Sequence, residues 1–197
     1  MYPREAMGWD AGKAPMLDAP ERERDMPGGQ VADLLALAGS EMVIDYGAGT
    51  GRLTIAVAER IDPEGRVLAI EDSSEMFELL AQRLAAVSGA EAMLIDGDHV
   101  PLPDQHIDRI LAVDVLHHMR PDTLSEMRRL LTPEGLLLLI DWDRNQPRDG
   151  GPPRDVLLTA EEATRELAAA GLKAHQVDAP FADRYTLLAT AEPSVQE

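Results

Sequence analysis

From about residue 40 onward, short unbroken apolar runs alternate with stretches whose apolar residues fall at helical spacing. The runs "MVIDY", "RVLAIE", "EAMLI", "IDRILAVDV" and "LLLLID" predict strands. They are apolar throughout rather than at every second position, which suits strands covered on both faces, the mark of a parallel sheet. Between them, "RLTIAVAERI", "SEMFELLAQRLAAV" and "PDTLSEMRRLL" predict amphipathic helices. The tail adds a helix, "TAEEATRELAAAG", and two further strand candidates, "LKAHQVDA" and "DRYTLLATAE". Their short link predicts an antiparallel hairpin. Ahead of the first strand, "QVADLLALAG" has helical spacing at Val31, Leu34, Leu35 and Leu37, with Gly39 as its stop. Residues 1–29 are polar, broken by Pro3, Pro15, Pro20 and Pro27, and carry the charge run "ERERD". They read as an extended arm or cap segment with one short helix, leaving residues 30–197 as a single α/β domain.

The first strand runs into "GAGTG", with glycines at positions 47, 49 and 51. Strand, glycine-rich turn and helix together bring backbone N–H groups and a helix start up to a ligand. A dinucleotide fingerprint is G-x-G-x-x-G, closing on a pyrophosphate. Here the spacing is G-x-G-x-G, preceded by Asp45. A carboxylate is a poor neighbour for a pyrophosphate and a good one for an ammonium group or for water ordered at a cationic ligand. The second strand ends in Glu71, where a carboxylate can accept from both ribose hydroxyls of an adenosine. Asp72 competes for that role, but strand alternation lets only one of the two point into the cleft.

Charge and cysteine content narrow the picture. Thirty-six acids against 18 Lys and Arg give a formal net charge of −18. Such a surface repels phosphate backbones and anionic lipid, so nucleic acid is not the expected partner. With no cysteine there is no disulfide, thiolate metal site or cysteine nucleophile, which fits a cytoplasmic protein. No apolar run reaches the length of a membrane span, and "MYPREAMGWDAGKAPM" has no basic-then-hydrophobic order of a secretory signal.

Several stretches together resemble the class I S-adenosylmethionine-dependent methyltransferases, in particular the type 11 group that includes the ubiquinone and menaquinone C-methyltransferases. "VIDYGAGTG" is similar to that family's D-x-G-x-G-x-G. "VLAIEDSSEM" resembles its second motif and "IDGDHVPLPD" its third. "RILAVDVLHHM" and "EMRRLLTPEGLLLLID" match the fourth strand and the helix, turn and strand after it. "LDAPERERDMP" resembles an N-terminal stretch of some members. The resemblance implies a Rossmann-like, doubly wound, seven-stranded and mostly parallel sheet of order 3-2-1-4-5-7-6, strand 7 antiparallel. It also implies S-adenosyl-L-methionine as cofactor, held by Asp45, Gly47, Gly49, Gly51, Glu71, Met76, Asp96 and Gly97. In it Glu71 holds the ribose, Met76 lies near the adenine, Asp96 accepts from the adenine amino group and the Gly97 amide donates to the ring. Counting back five from Pro101 selects Asp96 over Asp98. Two positions depart from the family pattern: Tyr46 stands where a small aliphatic is usual, and Gly97 replaces alanine.

Ligands of such sheets sit beyond the C-terminal ends of the strands, which singles out Asp114, His117, His118, Asp141, Trp142 and Asp143. Methyl transfer needs alignment above all, and a base only for a protonated acceptor. Asp114, His117 and His118 are the catalytic candidates, His117 or His118 as that base and the alternative for both being cleft lining. His99, His106, His117 and His118 show no ligand spacing on one helix face, so no metal site is expected. Arg52 reads as structural or as a cap on the cleft, and Arg128, Arg129 and Glu126 as a solvated helix face. The loop at 141–157 carries Trp142, Arg144, Arg148 and Arg154, and with Tyr2 and Trp9 of the arm is the candidate substrate cover. The expected function is methyl transfer to a small molecule, with a catalytically silent cofactor-binding partner or sensor module as the alternative. A nucleotide-dependent oxidoreductase needs the other glycine spacing, and arsenic methylation needs cysteines. Acceptor identity and oligomeric state are not legible.

Overall fold

The computed structural model describes residues 11–119, 121–148 and 150–192, so Tyr2 and Trp9 lie outside the described residues. Seven strands, β1 (Met42–Tyr46), β2 (Arg66–Glu71), β3 (Ala90–Leu94), β4 (Ile107–Val113), β5 (Leu131–Trp142), β6 (Leu172–Gln176) and β7 (Arg184–Ala191), form one sheet of order β3-β2-β1-β4-β5-β7-β6. β1 to β5 are parallel, and β7 runs antiparallel to both β5 and β6. The helices are α1 (Ala14–Leu17), α2 (Pro20–Asp25), α3 (Gly28–Asp33), α4 (Arg52–Ala58), α5 (Ser74–Leu84), α6 (Pro121–Leu130) and α7 (Ala160–Ala169). The fold is the expected Rossmann-like, doubly wound α/β arrangement.

The unbroken apolar runs explain the layering. Successive strand residues point to opposite faces, so in β1 Ile44 joins one core cluster and Val43 the other. β2 divides in the same way between Leu68 and Val67, and β4 between Ile110 and Leu111. One cluster packs against α6 and α7 through Met127, Leu130, Ala163 and Leu167; the other packs against α3 and α4 through Val31, Ala32 and Val57. Each fully buried aliphatic side chain contributes about 1.5–3 kcal/mol. α7 is started by a reciprocal cap: Thr159 accepts from the Glu162 amide, and Glu162 reaches back to the Thr159 amide.

Three expectations are revised. The helix over "QVADLLALAG" stops at Asp33, and Ala36 takes a positive φ of 49°. There the Arg109 side chain donates to the carbonyls of Leu35 (2.8 Å) and Ala36 (3.3 Å), satisfying them outside a helix. β5 begins at Leu131 rather than at the leucine run, because Leu131 already pairs with Ile107 before the register shifts ahead of Arg109. The β6–β7 link spans residues 177–183, since Phe181 turns inward to join the core.

Candidate active site

The C-terminal ends of the parallel strands open into a cavity of about 620 Å³. The strand order gives it two ends. The tips of β1 and β2, the first turn of α5 and the loop after β3 supply Asp45, Gly47, Gly49, Glu71, Met76 and Gly97; the tips of β4 and β5 and the turn after β4 supply Asp114, His117, His118 and Trp142.

At the first end the wall is mostly backbone. Gly47 has a φ of 71°, and a Cβ there would stand 2.6 Å from Val115 Cγ1, so the turn tolerates no side chain. The amides of Gly47 and Ala48 both donate to the Ile70 carbonyl (2.9 and 3.0 Å), pinning the turn to β2. Asp45 is buried and accepts from the Thr54 hydroxyl at 2.6 Å. Burial pushes its carboxyl up to about 6, against the pull of Thr54 and of the Arg52 charge. Glu71 is buried too and accepts from the Gly49 amide. Burial pushes it up to about 7; the Gly49 bond opposes this, while Asp72 and Asp45, charges of its own sign, add to it. A buried carboxylate pressed by like charges at a cavity wall fits a ligand that brings hydroxyl donors, such as a ribose diol. The side-chain-free turn beside it is a cradle of the shape such a ligand needs. The residues present therefore fit S-adenosylmethionine.

Not every residue assigned to the cofactor lines this cavity. Gly51 caps α4 with a φ of 80°, and a Cβ there would meet Leu80 Cδ1 at 2.8 Å, so its missing side chain serves the contact with α5. Asp96 is exposed and outside the lining, whereas Asp98 lies in the wall and accepts from the Thr123 hydroxyl at 2.6 Å. Tyr46 packs against the core while also lining the cavity, so it does not plug the turn.

At the other end the carboxylates are already paired. Asp114 has a positive φ of 56°; its Oδ1 accepts from Arg184 Nε at 2.8 Å and its Oδ2 from Arg22 at 2.9 Å. Burial alone would raise its pKa, but the two guanidiniums prevail and hold it below the ordinary carboxylate value. A carboxylate held in this way clamps the arm and β7 to the end of β4. His117 is buried, with Nδ1 2.9 Å from Asp141 Oδ1 and 3.1 Å from Oδ2. Asp141 is fixed by the backbone amides of Trp142 (2.7 Å) and His117 (3.2 Å). The Nε2 atom of His117 is buried with no hydrogen-bond partner among the described residues. The His118 ring lies 4.1 Å from that of His117, tilted by 46°.

A cover is formed by α1, α2 and the loop after β5. Lys13, Met16, Leu17, Ala19, Glu21 and Arg22 line the cavity from the arm. Asp18 Oδ1 accepts from Thr50 and from Arg83, each at 2.7 Å, and Arg52 bonds Glu23 at 2.5 Å. From the loop come Trp142, Gly151, Pro152 and Pro153. Its arginines do not face a substrate as free cations: Arg148 donates to the Gly150 and Pro152 carbonyls, Arg154 to those of Arg144 and Gln146, and Arg144 pairs with Glu162. Glu126 and Arg129 are likewise no simple solvated face. They hold the loop after β3 through the Val100 amide and the carbonyls of Val100 and Leu102.

Sequence reasoning missed Arg22, Arg184, Thr54 and Asp98. Arg22 lay inside a charge run and Thr54 inside an amphipathic helix, and neither carries a local sign of its partner. Asp98 was visible two residues from Asp96 in "DGDH" and was set aside by the motif count.

Comparison with known proteins agrees with this fold. Residues 43–135 match the family model described as a methyltransferase domain. An uncharacterized methyltransferase of Mycobacterium bovis is 31% identical over 173 residues, covering 80% of this chain; the chain spans 65% of that relative's length. A ubiquinone/menaquinone biosynthesis C-methyltransferase of Bordetella avium is 33% identical over 105 residues, 52% of this chain and 41% of that protein. Among solved structures, a SAM-dependent methyltransferase from Aquifex aeolicus superposes with a TM-score of 0.85 at 24% identity, covering 92% of this chain and 98% of that one. The [4+2]-cyclase SpnF shares the fold at a TM-score of 0.69 and 21% identity, covering 85% of this chain and 81% of its own. The chain is thus similar to methyltransferases over residues 43–135, and it shares their fold over most of its length.

Proposed function

We propose that the chain transfers a methyl group from S-adenosylmethionine to a small-molecule acceptor held in the same cavity. The observation that carries this reading is the continuity of one cavity from the buried Glu71 and the bare Gly47–Gly49 turn to the His117 and Trp142 end. When bound, S-adenosylmethionine supplies an electrophilic methyl on a sulfonium. Glu71 would accept from the ribose hydroxyls, Met76 and Gly97 would hold the adenine, and Asp96 would accept from the adenine amino group. The Gly47–Gly49 turn admits the amino-acid tail, with Asp45 beneath it. The arm and the loop after β5 exclude water, and alignment of two bound reactants supplies about 7–11 kcal/mol of the barrier reduction. A protein fold shared with a cyclase does not by itself specify methyl transfer, so the reading rests on the site. No helix among the described residues is long and apolar enough to cross a membrane; the reading places the chain in the cytoplasm, acting on a small molecule rather than nucleic acid.

The test is calorimetry with S-adenosylhomocysteine, the demethylated product. Glu71→Ala is expected to weaken binding by about 1–3 kcal/mol, the cost of stranding the ligand's donors. Asp96→Ala, at an exposed position, is expected to weaken it less. An absence of binding to the wild type, or equal affinity in wild type and Glu71→Ala, would overturn the assignment. Tight binding without turnover on any acceptor would favour the silent-module alternative.

A further inference from the structure

Resting on that reading of the cavity, we propose that the acceptor is a neutral aromatic compound methylated on a hydroxyl oxygen, and that His117 removes the hydroxyl proton with Asp141 as its positioning residue. Asp141 is a carboxylate that accepts from two backbone amides, and it faces His117 Nδ1. A carboxylate accepts, so the proton of the neutral ring sits on Nδ1 and Nε2 presents a lone pair. That nitrogen is buried without a partner among the described residues, on a residue that lines the cavity. An orphaned buried acceptor is costly unless a ligand supplies the donor. A hydroxyl proton is such a donor.

The surroundings select among protonated acceptors. An ammonium acceptor would need a free carboxylate near the imidazole. The carboxylates carried by the tips of β4 and β5 are taken, Asp141 by His117 and Asp114 by Arg22 and Arg184. The walls here include the apolar side chains of Val115, Met119, Trp142, Pro152 and Pro153, beside the ring of His118. The Trp142 ring is held by Arg184, whose guanidinium carbon lies 3.6 Å from the ring centroid. Apolar walls around one acceptor nitrogen suit an aromatic body with a single ionisable hydroxyl. Imidazole is also matched to a phenol better than to an aliphatic alcohol, whose proton is far harder to remove.

The step balances. The hydroxyl proton passes to Nε2 while an oxygen lone pair forms the O–CH3 bond. The C–S bond breaks, and its electron pair stays on sulfur to leave a neutral thioether. The imidazolium is opposed by the Asp141 charge and returns its proton to water as product leaves.

The experiment uses the full chain with S-adenosylmethionine and four size-matched probes: para-cresol, para-nitrophenol, para-toluidine and para-thiocresol. Wild type is expected to methylate para-cresol on oxygen in preference to the amine and thiol. His117→Gln is expected to lose about 10²–10⁴-fold in kcat on para-cresol. On para-nitrophenol, already ionised in mildly alkaline buffer, it loses no more than about tenfold, because there is no proton left to remove. A merely structural histidine would lose equally on both. Asp141→Asn repeats the contrast and shifts the ring nitrogen resonances of His117 toward the other tautomer, a readout independent of turnover; it also stands in should His117→Gln fail to fold. S-adenosylhomocysteine affinity unchanged in His117→Gln separates this step from donor binding. Wild type that binds S-adenosylhomocysteine yet methylates no phenol, or methylates a ring carbon, or a His117→Gln variant equally slow on both phenols, overturns the proposal while the cofactor reading stands.

Discussion

The two ends of the cavity handle buried acids in opposite ways. Toward β1 and β2, Asp45 and Glu71 are pushed up to about 6 and about 7, chiefly by burial. Toward β4 and β5, Asp114 is clamped by two arginines below its ordinary value, and Asp141 is held against His117. The difference separates a site shaped for an arriving ligand from a site whose geometry is already complete. An acid lacking a cation costs stability until hydroxyl donors reach it, whereas a paired acid stabilises the fold before any ligand arrives.

The contrast is broken most severely at Asp114. Asp114→Ala would leave Arg184, only 7% exposed at its side chain, buried without its carboxylate. Removing one partner of a buried pair costs about 3–5 kcal/mol, to be read as a lower urea midpoint at unchanged slope. A loss below about 1 kcal/mol would mean that the clamp is in effect solvated.

Glu71 should respond in the other direction. Its folded value of about 7 against the ordinary 4.5 means that, between those values, the folded protein binds a proton the unfolded chain releases. The free protein should therefore lose stability as pH rises through that window, by about 3 kcal/mol from this group. Asp45 acts in the same sense between 3.8 and about 6. Asp114 acts in the opposite sense: its contribution is present above 3.8 and is lost as pH falls through its lowered folded value. Glu71→Gln should flatten the melting temperature between mildly acidic and mildly alkaline buffer, and should raise it near neutrality while weakening S-adenosylhomocysteine. The difference between the two proteins isolates Glu71 from the general relief of a −18 net charge on acidification. A Glu71→Gln protein as pH-sensitive as wild type would show that burial does not hold this carboxyl up.

Legibility in the sequence divides along the same line. The strands could be read because each uses a local signal, an apolar run set between helical spacings or before a glycine turn, whereas their order came from the family resemblance. Asp45, Gly47, Gly49 and Glu71 could be singled out because each lines the cavity from its own position at or just after a strand tip. The clamp was not, since Arg22 and Arg184 stand 92 and 70 residues from Asp114, and nothing in "ERERD" or "DRYTLL" marks them as its partners. His117 was singled out beside His118, but its orienter, 24 residues away at the end of β5, was visible only as another acid on a strand tip. Asp96 failed to line the cavity because a motif count fixes register, not the direction in which a loop side chain turns. Gly51 shows the same gap: its spacing marked it as special, and packing against Leu80 decided why.

The smallest effect on stability belongs to the arm, and it sharpens the comparison because the arm touches both ends of the cavity. Asp18 bonds Thr50 and Arg83 near the glycine turn, while Arg22 bonds Asp114 near β4. The Asp18–Arg83 pair is well exposed, so Asp18→Ala should change stability by less than about 1 kcal/mol. Its kinetic consequence should be larger than its thermodynamic one. Leu17 stands over Gly49, within 3.1 Å of where a Cβ would sit, so this part of the arm covers the turn. Asp18→Ala removes a fastening of that cover without touching the turn or Glu71. It should speed S-adenosylhomocysteine dissociation several-fold in stopped-flow measurements and leave the melting temperature of the free protein nearly unchanged. Added salt should speed release from wild type more than from the variant, since screening weakens a bond that the variant no longer has. Equal release rates in the two proteins at every salt concentration would mean that ligand leaves past the loop after β5, and that the arm merely lines the wall.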